Sequence, residues 1–416
     1  MKIRVAVIFG GKSTEHEISI ISAIQAIHAF DTDKYEIIPV YMTKDSVCYA
    51  GEGVGDIASY QKDIKELLSK AVQVDFEKNG DRVFLMRHER KLFGSNIFSE
   101  IDVAFPIVHG TNVEDGTLAG FLLTLGLAVV GPDVLSSAIG MDKYIMKAVL
   151  RESGVPFLDC LIFNVNDSEN MAAIRTAVEE KFGYPVIVKP VNLGSSIGIS
   201  KADTGEELME ALELAFTFAD RVLIEKAIIN LKEVNCAVLG DYEEAIASEC
   251  ESPIVNTGEV LDFDKKYMNN GGSKSAKGSK LVNAKCGNTR LTPSKMQGTG
   301  AAKGSGMASL SRELPANISA EKREEIRELS LKAFKALGLS GVTRIDFMLD
   351  MDDNERVYLN EVNTIPGSLA FYLWEAAGIP YKELLDRLVK LALKAQREKN
   401  KKIYTFDTNV LAGVRI

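Results

Sequence analysis

Two short polar patterns near the carboxyl end of the chain have the spacing of a metal site. Arg344 and Asp346 lie two positions apart in an otherwise apolar segment. Glu361 and Asn363 repeat that spacing on the next predicted strand. Side chains two positions apart in a strand point to one face, so the carboxylates and the amide can converge on hard cations. Mg²⁺ suits such oxygen ligands, because it binds one or two carboxylates together with waters and nucleotide phosphates. The tight turn predicted at 364–367 could aim a backbone N–H at the same point.

An anion site is predicted where Lys189 ends a buried strand and a Gly/Ser-rich loop follows at 192–198. Glycine lets backbone N–H groups approach an anion closely, and serine hydroxyls add further donors. Gly10 and Gly11 form a comparable turn into a helix, and a helix N-terminus also favours anions. This turn is not a P-loop, because Ala6 stands where that motif requires its first glycine.

Alternating strands and helices predict a parallel α/β sheet in residues 1–137. The predicted strands are 3–9, 35–42, 101–108 and 127–131, with helices at about 14–28 and 117–126. Ser13 or Thr14 is expected to cap the first helix. A smaller α+β unit is predicted at 138–228, and a C-terminal unit at 229–416. Their predicted strands are 157–163, 185–189, 221–226, 233–240, 243–250, 342–350 and 356–361, and their helices 142–154, 168–182, 205–218, 319–337 and 380–398.

The C-terminal unit contains an abrupt change of composition. From 265 to 312 there are ten Lys or Arg residues and no Asp or Glu, among many Gly, Ser, Asn and Thr. Such a stretch cannot bury enough apolar surface to offset the cost of ordering it. We therefore expect a flexible basic insert at 268–312. It could serve as a mobile lid or as a tether for an anionic partner, and we favour the lid.

The composition of the chain argues against several classes of protein. Its 416 residues include 58 acidic and 49 basic residues, and the net charge of −9 argues against a nucleic-acid-binding protein held by overall charge. No run approaches the ~18 apolar residues of a membrane span, and the start MKIRVAVIFGG is typical of a folded strand rather than a secretory signal. Five scattered cysteines with no CxxC pair argue against disulfides and zinc and fit a reducing cytoplasm.

In their order along the chain, these motifs resemble the D-alanine–D-alanine ligases of the ATP-grasp superfamily. The matching segments are GGKSTEHEIS (10–19), HGTNVEDGTLAG (109–120), GPDVLSSAIGMDK (131–143), VIVKPVNLGSSIG (186–198), VLIEK (222–226), DFDKKY (262–267), TRIDFML (343–349) and LNEVNTIPG (359–367). The resemblance implies an α/β and α+β fold, in which an N-terminal Rossmann-like parallel sheet precedes a two-part ATP-grasp fold that closes over a nucleotide. It also implies a cytoplasmic enzyme of peptidoglycan precursor synthesis, commonly a homodimer.

The implied reaction ligates two D-alanine molecules. ATP phosphorylates the carboxylate of the first to an acylphosphate, the amine of the second attacks, and phosphate leaves. Charge crowding and positioning dominate such a barrier, so cations are expected to supply most of the catalysis. The implied cofactors are ATP and two Mg²⁺ ions, with Mn²⁺ as an alternative. The expected partners are small-molecule amino acids, with no nucleic acid and no membrane.

The resemblance also assigns roles to residues that match the family motifs. The residues implied to bind ATP are Lys143, Lys189, Ser196 and Lys266 at the phosphates, Glu225, Lys226 and Ile228 at the adenine, and Glu233 at the ribose. The implied ligands of the metal ions are Asp346, Glu361 and Asn363. Glu15 would hold the ammonium group of the first D-alanine, linked through Ser195 and Tyr267. The oxyanion would be stabilised by Arg344 and the backbone of Gly367. The second amino-acid site would be lined by His109, Ser368 and Leu369.

Departures from the family pattern fall on the second-substrate side and in the insert. Val113 and Ala119 replace a family Gly and Gln, and the chain runs from Gly367 directly into Ser368 and Leu369 through a shortened segment. These changes leave open an ATP-grasp ligase with a different acceptor, such as D-serine, D-lactate or another amino acid. A further alternative is a non-catalytic nucleotide-binding protein whose basic insert recruits an anionic partner.

Overall fold

The computed structural model of the protein describes residues 2–194, 196–254 and 311–405. Three β-sheets with packed helices make up the described chain. The strands of the first sheet are β1 Ile3–Gly10, β2 Tyr35–Met42, β3 Cys48–Ala50, β4 Val72–Asn79, β5 Arg82–Arg87, β6 Ile97–Ile101, β7 Val103–Ile107 and β8 Ala128–Val129. Their spatial order is β6-β5-β4-β3-β2-β1-β7-β8.

One half of the first sheet is parallel and the other half is antiparallel. The predicted parallel sheet is confirmed in β2, β1, β7 and β8. Strands β3 to β6 extend it by antiparallel pairing and were not assigned from the sequence. Antiparallel neighbours need only a short turn, whereas parallel neighbours need a long crossover. The two-residue turn at Gly80 and Asp81, between the paired residues Asn79 and Arg82, is of this short kind.

The helices of this first region are α1 His16–Ala29, α2 Ile57–Tyr60, α3 Ile64–Lys70, α4 Thr117–Leu125 and α5 Val134–Met141. The predicted cap of α1 at Ser13 or Thr14 is wrong. The helix begins at His16, and Glu15 precedes it without a capping side-chain hydrogen bond. The Ser13 hydroxyl instead accepts a hydrogen bond from the backbone N–H of Glu15 at 3.1 Å. This arrangement leaves the Glu15 side chain at the entrance to the helix.

The second sheet is antiparallel and has the order β11-β10-β12-β9. Its elements are α6 Lys143–Ser153, β9 Cys160–Asn164, α7 Met171–Lys181, β10 Val186–Pro190, β11 Ser200–Ala202, α8 Gly205–Phe216 and β12 Arg221–Lys226. The apolar positions of α7 and α8 face the sheet, where Val178 and Leu212 pack with Val188 and Ile224 in one core. Strands β10 and β12 thereby carry their polar residues, Lys189 and Glu225, on a rigid frame.

The third sheet is also antiparallel and has the order β15-β14-β13-β16-β17. Its elements are β13 Leu231–Gly240, β14 Ala245–Pro253, β15 Arg312–Glu313, α9 Ala320–Ala336, β16 Gly341–Asp350 and β17 Arg356–Asn363. Nine of the ten residues of β16 are buried, so its charged residues lie inside the molecule. The predicted insert 268–312 lies outside the described residues, apart from Ser311 and Arg312, and Arg312 begins β15.

The chain then returns to the first sheet. A 3₁₀ turn at Gly367–Ala370 leads into α10 Phe371–Ala376 and α11 Tyr381–Asn400. Trp374 and Leu385 of these helices share a core with Phe9 and Phe105 of the first sheet. The 3₁₀ turn contacts α1, which places it beside Glu15 and His109. Among the described helices, none combines the length and the apolar character that crossing a bilayer requires.

Candidate functional site

The centre of the site is a buried charge cluster on β16 and β17. Arg344 donates two hydrogen bonds to Asp346, each 2.7 Å long. The Asn363 amide donates to the same carboxylate at 3.0 Å, and Glu361 lies opposite Asp346 in the strand register. Burial disfavours the charged form of Arg344, but the adjacent carboxylate outweighs it and raises the pKa of the guanidinium. The structure thus brings together the four residues that the sequence pattern had paired.

Lys143 connects this cluster to the Gly/Ser loop. It is the first residue of α6, and the side chain of Asp142 caps that helix. Its ammonium group donates to the carbonyl oxygen of Leu193 at 2.8 Å and lies 3.4 Å from the Glu361 carboxylate. A cation at this point faces both the predicted metal ligands and the predicted phosphate loop.

A second buried charge cluster lies on the other side of the Gly/Ser loop. Lys189 contacts the Glu225 carboxylate at 2.5 Å and the side-chain oxygen of Asn360 at 3.0 Å. Lys147 pairs with the other oxygen of Glu225. Burial, followed by the nearby cations Lys147 and Lys143, lowers the pKa of Lys189 to about 7. Lys147 was not identified from the sequence, because a lysine inside a helical pattern is usually solvent-exposed.

A cleft of about 520 Å³ opens beside this second cluster. Glu225, Lys226, Ile228 and Glu233, the predicted adenine and ribose residues, all line it. The Lys226 ammonium group donates to the carbonyl oxygens of Phe182 and Tyr184 at 3.0 and 2.9 Å. Its side chain is therefore held by the protein, so its backbone is the part that remains for a ligand.

Glu15 lies where the first sheet meets the Gly/Ser loop. Its side chain is buried. A β-carbon placed on Gly110 would come within 3.1 Å of a Glu15 carboxylate oxygen, and one placed on Gly194 within 3.5 Å. Gly110 also has φ +85°, so glycine is required there for both space and conformation. Ser196 lies in the Gly/Ser loop two residues after Gly194, and its φ is also positive, at 58°.

His109 is fully engaged by protein groups. Its ring nitrogens contact the carbonyl oxygen of Ile365 at 2.8 Å and the hydroxyl of Ser22 at 2.9 Å. Burial lowers the pKa of the imidazole, so it is neutral around pH 7. His109 therefore supports the turn containing Ile365, and its role at the second amino-acid site stays a prediction.

Glu114 is a site residue that the sequence analysis did not identify. Its two carboxyl oxygens accept the backbone N–H groups of Gly110 at 2.6 Å and Ile365 at 3.1 Å. Burial and the neighbouring Glu15 raise its pKa to about 8. The signal was its position inside the HGTNVEDG segment, where an acid in a glycine-bounded turn can accept backbone hydrogen bonds.

The turn after β17 contains the remaining predicted substrate residues. Ser368, Leu369 and Ala370 all have left-handed backbone conformations, with φ between 50 and 53°. Such conformations are costly for non-glycine residues and persist only where surrounding contacts enforce them. The Ser368 N–H donates to the Ser22 hydroxyl at 3.0 Å. The Ser368 hydroxyl is buried and has no hydrogen-bond partner among the described residues, so the side chain does not face an open cleft here.

Three predicted residues, Ser195, Lys266 and Tyr267, lie outside the described residues. Within the described part, no group of three or more His, Cys, Asp or Glu side chains has the arrangement of a metal site. The predicted ligand set has two carboxylates and one amide, so it is a site of a different composition. Its hard oxygen donors on facing strands have the chemistry that Mg²⁺ prefers.

A last buried cluster borders Arg344. The Glu251 carboxylate accepts hydrogen bonds from Tyr372 at 3.0 Å and Asn235 at 3.2 Å. Arg312 pairs with the same carboxylate at 2.5 Å and stacks 3.8 Å from the centre of the Tyr372 ring. Asn235 lies opposite Asp346 in the register. Directly opposed residues of antiparallel strands share a face, so this cluster lies beside the Arg344–Asp346 pair on the same face of the sheet. It was not predicted, because its members are far apart in the sequence.

Family comparisons agree with this arrangement. Residues 4–132 match the model of the D-ala D-ala ligase N-terminus, and residues 149–289 and 301–390 match that of the D-ala D-ala ligase C-terminus. A D-alanine–D-alanine ligase of Thermoanaerobacter sp. (strain X514) is 38% identical over 405 residues, which are 96% of this chain and 98% of the relative. One from Clostridium novyi (strain NT) is 37% identical over 404 residues, which are 95% and 99% of the two chains.

Solved structures show the same fold. The D-alanine–D-alanine ligase from Coxiella burnetii aligns with a TM-score of 0.73 at 27% identity and covers 96% of each chain. The VanG D-Ala:D-Ser ligase from Enterococcus faecalis aligns with a TM-score of 0.72 at 29% identity, covering 94% of this chain and 100% of that chain. Both similarities extend across all three sheets.

Proposed function

The chain belongs to the D-alanine–D-alanine ligase family, and from this premise we propose that it uses ATP to join two D-alanine molecules for peptidoglycan precursor synthesis. The observation that carries the proposal is the buried cluster in which Arg344 holds Asp346 beside Asn363. Lys143 links this cluster to the Gly/Ser loop. The cleft of about 520 Å³ is lined by Glu225 and Glu233, and the buried Glu15 carboxylate lies near Gly194 of the Gly/Ser loop. This is the arrangement needed to bring a triphosphate and an amino-acid carboxylate together.

The nucleotide would occupy the cleft between the second and third sheets. We assign the phosphates to Lys143, Lys189 and Ser196, together with Lys266, which lies outside the described residues. The adenine is assigned to Glu225, the Lys226 backbone and Ile228, and the ribose to Glu233. The lining of the cleft by these residues and the position of Lys143 at the Gly/Ser loop support the assignment.

Asp346, Glu361 and Asn363 are the proposed ligands of two Mg²⁺ ions, and Mn²⁺ could occupy the same oxygen set. Arg344 and Lys143 already contact these carboxylates, so the site is electrostatically suited to positive charge. Bound metal would neutralise the charge of the triphosphate during transfer. Arg344 would then be freed to face the reacting carboxylate.

The chemistry proceeds in two balanced steps. A carboxylate oxygen of the first D-alanine attacks the γ-phosphorus, the bond to the bridging oxygen of ADP breaks, and an acylphosphate forms. The uncharged amine of the second D-alanine then attacks the acyl carbon, the carbon–oxygen bond to phosphate breaks, and the nitrogen releases one proton to solvent as the amide forms. Glu15 would hold the ammonium group of the first D-alanine. Ser195 and Tyr267, which lie outside the described residues, would assist it. Arg344 and the Gly367 N–H would stabilise the oxyanion.

The acceptor end is organised by backbone groups. His109 and Glu114 hold the carbonyl and the N–H of Ile365, respectively, and so fix the turn that presents Gly367. We propose that His109 acts by positioning this turn. We also propose that Ser368 and Leu369 line the acceptor site with their backbone groups. The resemblance to the VanG D-Ala:D-Ser ligase favours D-serine as the alternative acceptor.

We also propose that the three sheets correspond to functional units at 1–137, 138–228 and 229–416, and that the enzyme is a cytoplasmic homodimer. The first sheet would supply the substrate pocket, and the other two would enclose the nucleotide. Light scattering of the purified protein tests the dimer directly, since a monomeric mass would contradict it.

A mass-resolved ligation assay tests the function. With ATP and saturating Mg²⁺, we expect D-alanine to stimulate ADP release and to yield D-alanyl-D-alanine. Adding D-serine, D-lactate and a set of L-amino acids should leave this product dominant. Absence of D-alanine-dependent ATP turnover would contradict the proposal, and a mixed dipeptide as the main product would establish the alternative acceptor.

A further inference from the structure

Lys147 is a buried lysine to which the proposed reaction gives no role. Its side chain is 3% exposed. The ammonium group pairs with the Glu225 carboxylate and donates to the carbonyl oxygen of Leu158 at 2.9 Å. It also lies 5.7 Å from the centre of the Phe157 ring. A fully buried lysine is rare unless it is paired, so these contacts call for an explanation beyond surface charge.

The Glu225 carboxylate, which pairs with Lys147, contacts the ammonium groups of two lysines. Lys147 binds Oε1 of Glu225, and Lys189 binds Oε2 at 2.5 Å. Burial lowers the pKa of Lys147 to about 8, so holding this charge inside the protein is costly. Both lysines contact Glu225, which we assign to the adenine in the proposed function. One lysine would suffice to neutralise Glu225, and the second is needed only if the first has another task.

We propose that Lys147 is a positioning residue that keeps Glu225 ionised and oriented as the hydrogen-bond acceptor for the exocyclic amino group of adenine. The inference rests on the proposed function, in which Lys189 turns to the phosphates of ATP. That movement leaves Oε2 of Glu225 open to the base, while Lys147 retains Oε1 and compensates the charge. Lys147 would thereby set the preference of the enzyme for ATP over a nucleotide with a keto group at the same position.

The shape and chemistry of the cleft support this role. Its walls near Glu225 include Leu158, Ile187 and Met348, which offer apolar surfaces to a flat base. An ionised carboxylate can only accept hydrogen bonds. It therefore binds an amino group and repels a keto oxygen. Leu158 contributes both a wall of the cleft and the carbonyl that holds Lys147, so the lysine and the base site are mechanically connected.

The test compares ATP with inosine triphosphate, which carries a keto group in place of the amino group. We would measure kcat/KM for both nucleotides at saturating D-alanine in the wild type and in Lys147→Met. The ratio of the two values should fall about tenfold or more, the effect of losing a hydrogen bond to a charged group. A merely structural lysine would change activity and stability without changing this ratio.

The chain offers a control in Lys181, which makes the same kinds of contact although its side chain is 35% exposed. It contacts a carboxylate (Asp159, 2.8 Å), a carbonyl oxygen (Cys160, 3.2 Å) and an aromatic ring (Phe182, 5.3 Å). None of these contacts involves Glu225. Lys181→Met should therefore keep the wild-type ratio of ATP to inosine triphosphate.

A double-mutant cycle keeps the proposal testable if Lys147→Met does not fold. Glu225→Gln removes the acceptor charge and should itself abolish the preference for ATP. In Lys147→Met/Glu225→Gln both members of the Lys147–Glu225 pair are neutral, and Lys189 keeps its hydrogen bond to Asn360. If Lys147 acts through Glu225, the double variant has the same ratio as Glu225→Gln.

The outcomes separate the two proposals. A wild-type ratio in Lys147→Met, or a further change of the ratio in the double variant, would overturn the role of Lys147 alone. A wild-type protein whose ATP turnover does not depend on D-alanine would instead refute the proposed function.

Discussion

The nucleotide end and the acceptor end of this site are built from different parts of the chain. At the nucleotide end, Lys189 and Glu225 project from adjacent strands of one antiparallel sheet, and Lys147 reaches them from α6. At the acceptor end, backbone groups of the turn at 364–370 are held by Glu114, His109 and Ser22. In the proposed function, side chains on regular strands bind the nucleotide, and a backbone turn that its surroundings hold in place binds the acceptor.

This difference has a physical consequence for specificity. A strand fixes its side chains through the ladder and the core beneath it, so the nucleotide end tolerates sequence change elsewhere. A left-handed turn of three non-glycine residues is held by surrounding contacts. Substitutions behind such a turn can therefore change which acceptor is bound without changing a residue that contacts the acceptor. The chemical reaction would stay the same, even with the shortened segment.

The largest effect is expected from Arg344→Lys, at the junction of the two ends. Lysine cannot form the two parallel hydrogen bonds that the guanidinium makes with Asp346. We expect kcat to fall about 10²–10³-fold, as for the loss of a transition-state charge donor. Arg356→Lys, at the exposed start of β17, is the matched control and should retain wild-type kcat. Near wild-type kcat in Arg344→Lys would remove Arg344 from the catalytic step.

A smaller but still large loss is expected from Gly110→Ala, beside Glu15. The added methyl group would lie 2.5 Å from the Ser13 hydroxyl and 3.1 Å from Glu15, at a φ of +85°. Relieving this clash must move the Ser13 hydroxyl, which accepts the N–H of Glu15, and the methyl group also crowds the Glu15 carboxylate. We therefore expect kcat/KM for D-alanine to fall roughly 10–100-fold, the equivalent of a strained backbone conformation. The KM for ATP should change little. Gly80→Ala, with φ +59° and open space around it, controls for backbone strain alone.

Removal of one hydroxyl tests the backbone support of the turn. The Ser22 hydroxyl contacts the His109 ring and accepts the Ser368 N–H. Ser22→Ala should raise the KM of the second D-alanine about 5- to 20-fold, because a buried N–H loses its partner. Ser330→Ala removes a buried hydroxyl of α9 that donates to the carbonyl oxygen of Ile326, and it should leave that KM unchanged. An equal effect in both variants would indicate general destabilisation.

The last expected effect is on stability and not on the reaction rate, as a pH dependence at the acceptor end. The folded chain holds a proton on Glu114 up to about pH 8, whereas the unfolded chain releases it near pH 4.5. The unfolded state therefore binds fewer protons in this window, and the free energy of unfolding falls as pH rises from about 5 to 8. Urea titrations should show this slope in the wild type and a flatter one in Glu114→Gln. Equal slopes would show that Glu114 is already ionised in the folded protein.

The same contrast explains what the sequence could predict. The i, i+2 patterns at Arg344–Asp346 and Glu361–Asn363 identified the central cluster, because strand geometry alone decides which side chains share a face. The predicted strands at 221–226 and 342–350 agree closely with β12 and β16. The antiparallel strands β3 to β6 were missed, because strands of mixed polarity have weak periodicity.

The local sequence patterns could not predict contacts between residues that are far apart in the chain. Lys147, Glu114 and Glu251 are buried by residues from distant segments, and a single charged residue gives no periodic signal of burial. His109 illustrates the same limit, since its motif could not show that both ring nitrogens contact Ile365 and Ser22, and its place at the second substrate stays a prediction.

The central claim is that an acylphosphate of D-alanine lies on the reaction path. It is tested most directly by running the reaction with D-alanine that carries ¹⁸O in its carboxylate. The proposed chemistry transfers one carboxylate oxygen to the departing phosphate, so we predict phosphate containing one ¹⁸O atom for each dipeptide formed. Unlabelled phosphate accompanying the dipeptide would contradict the account.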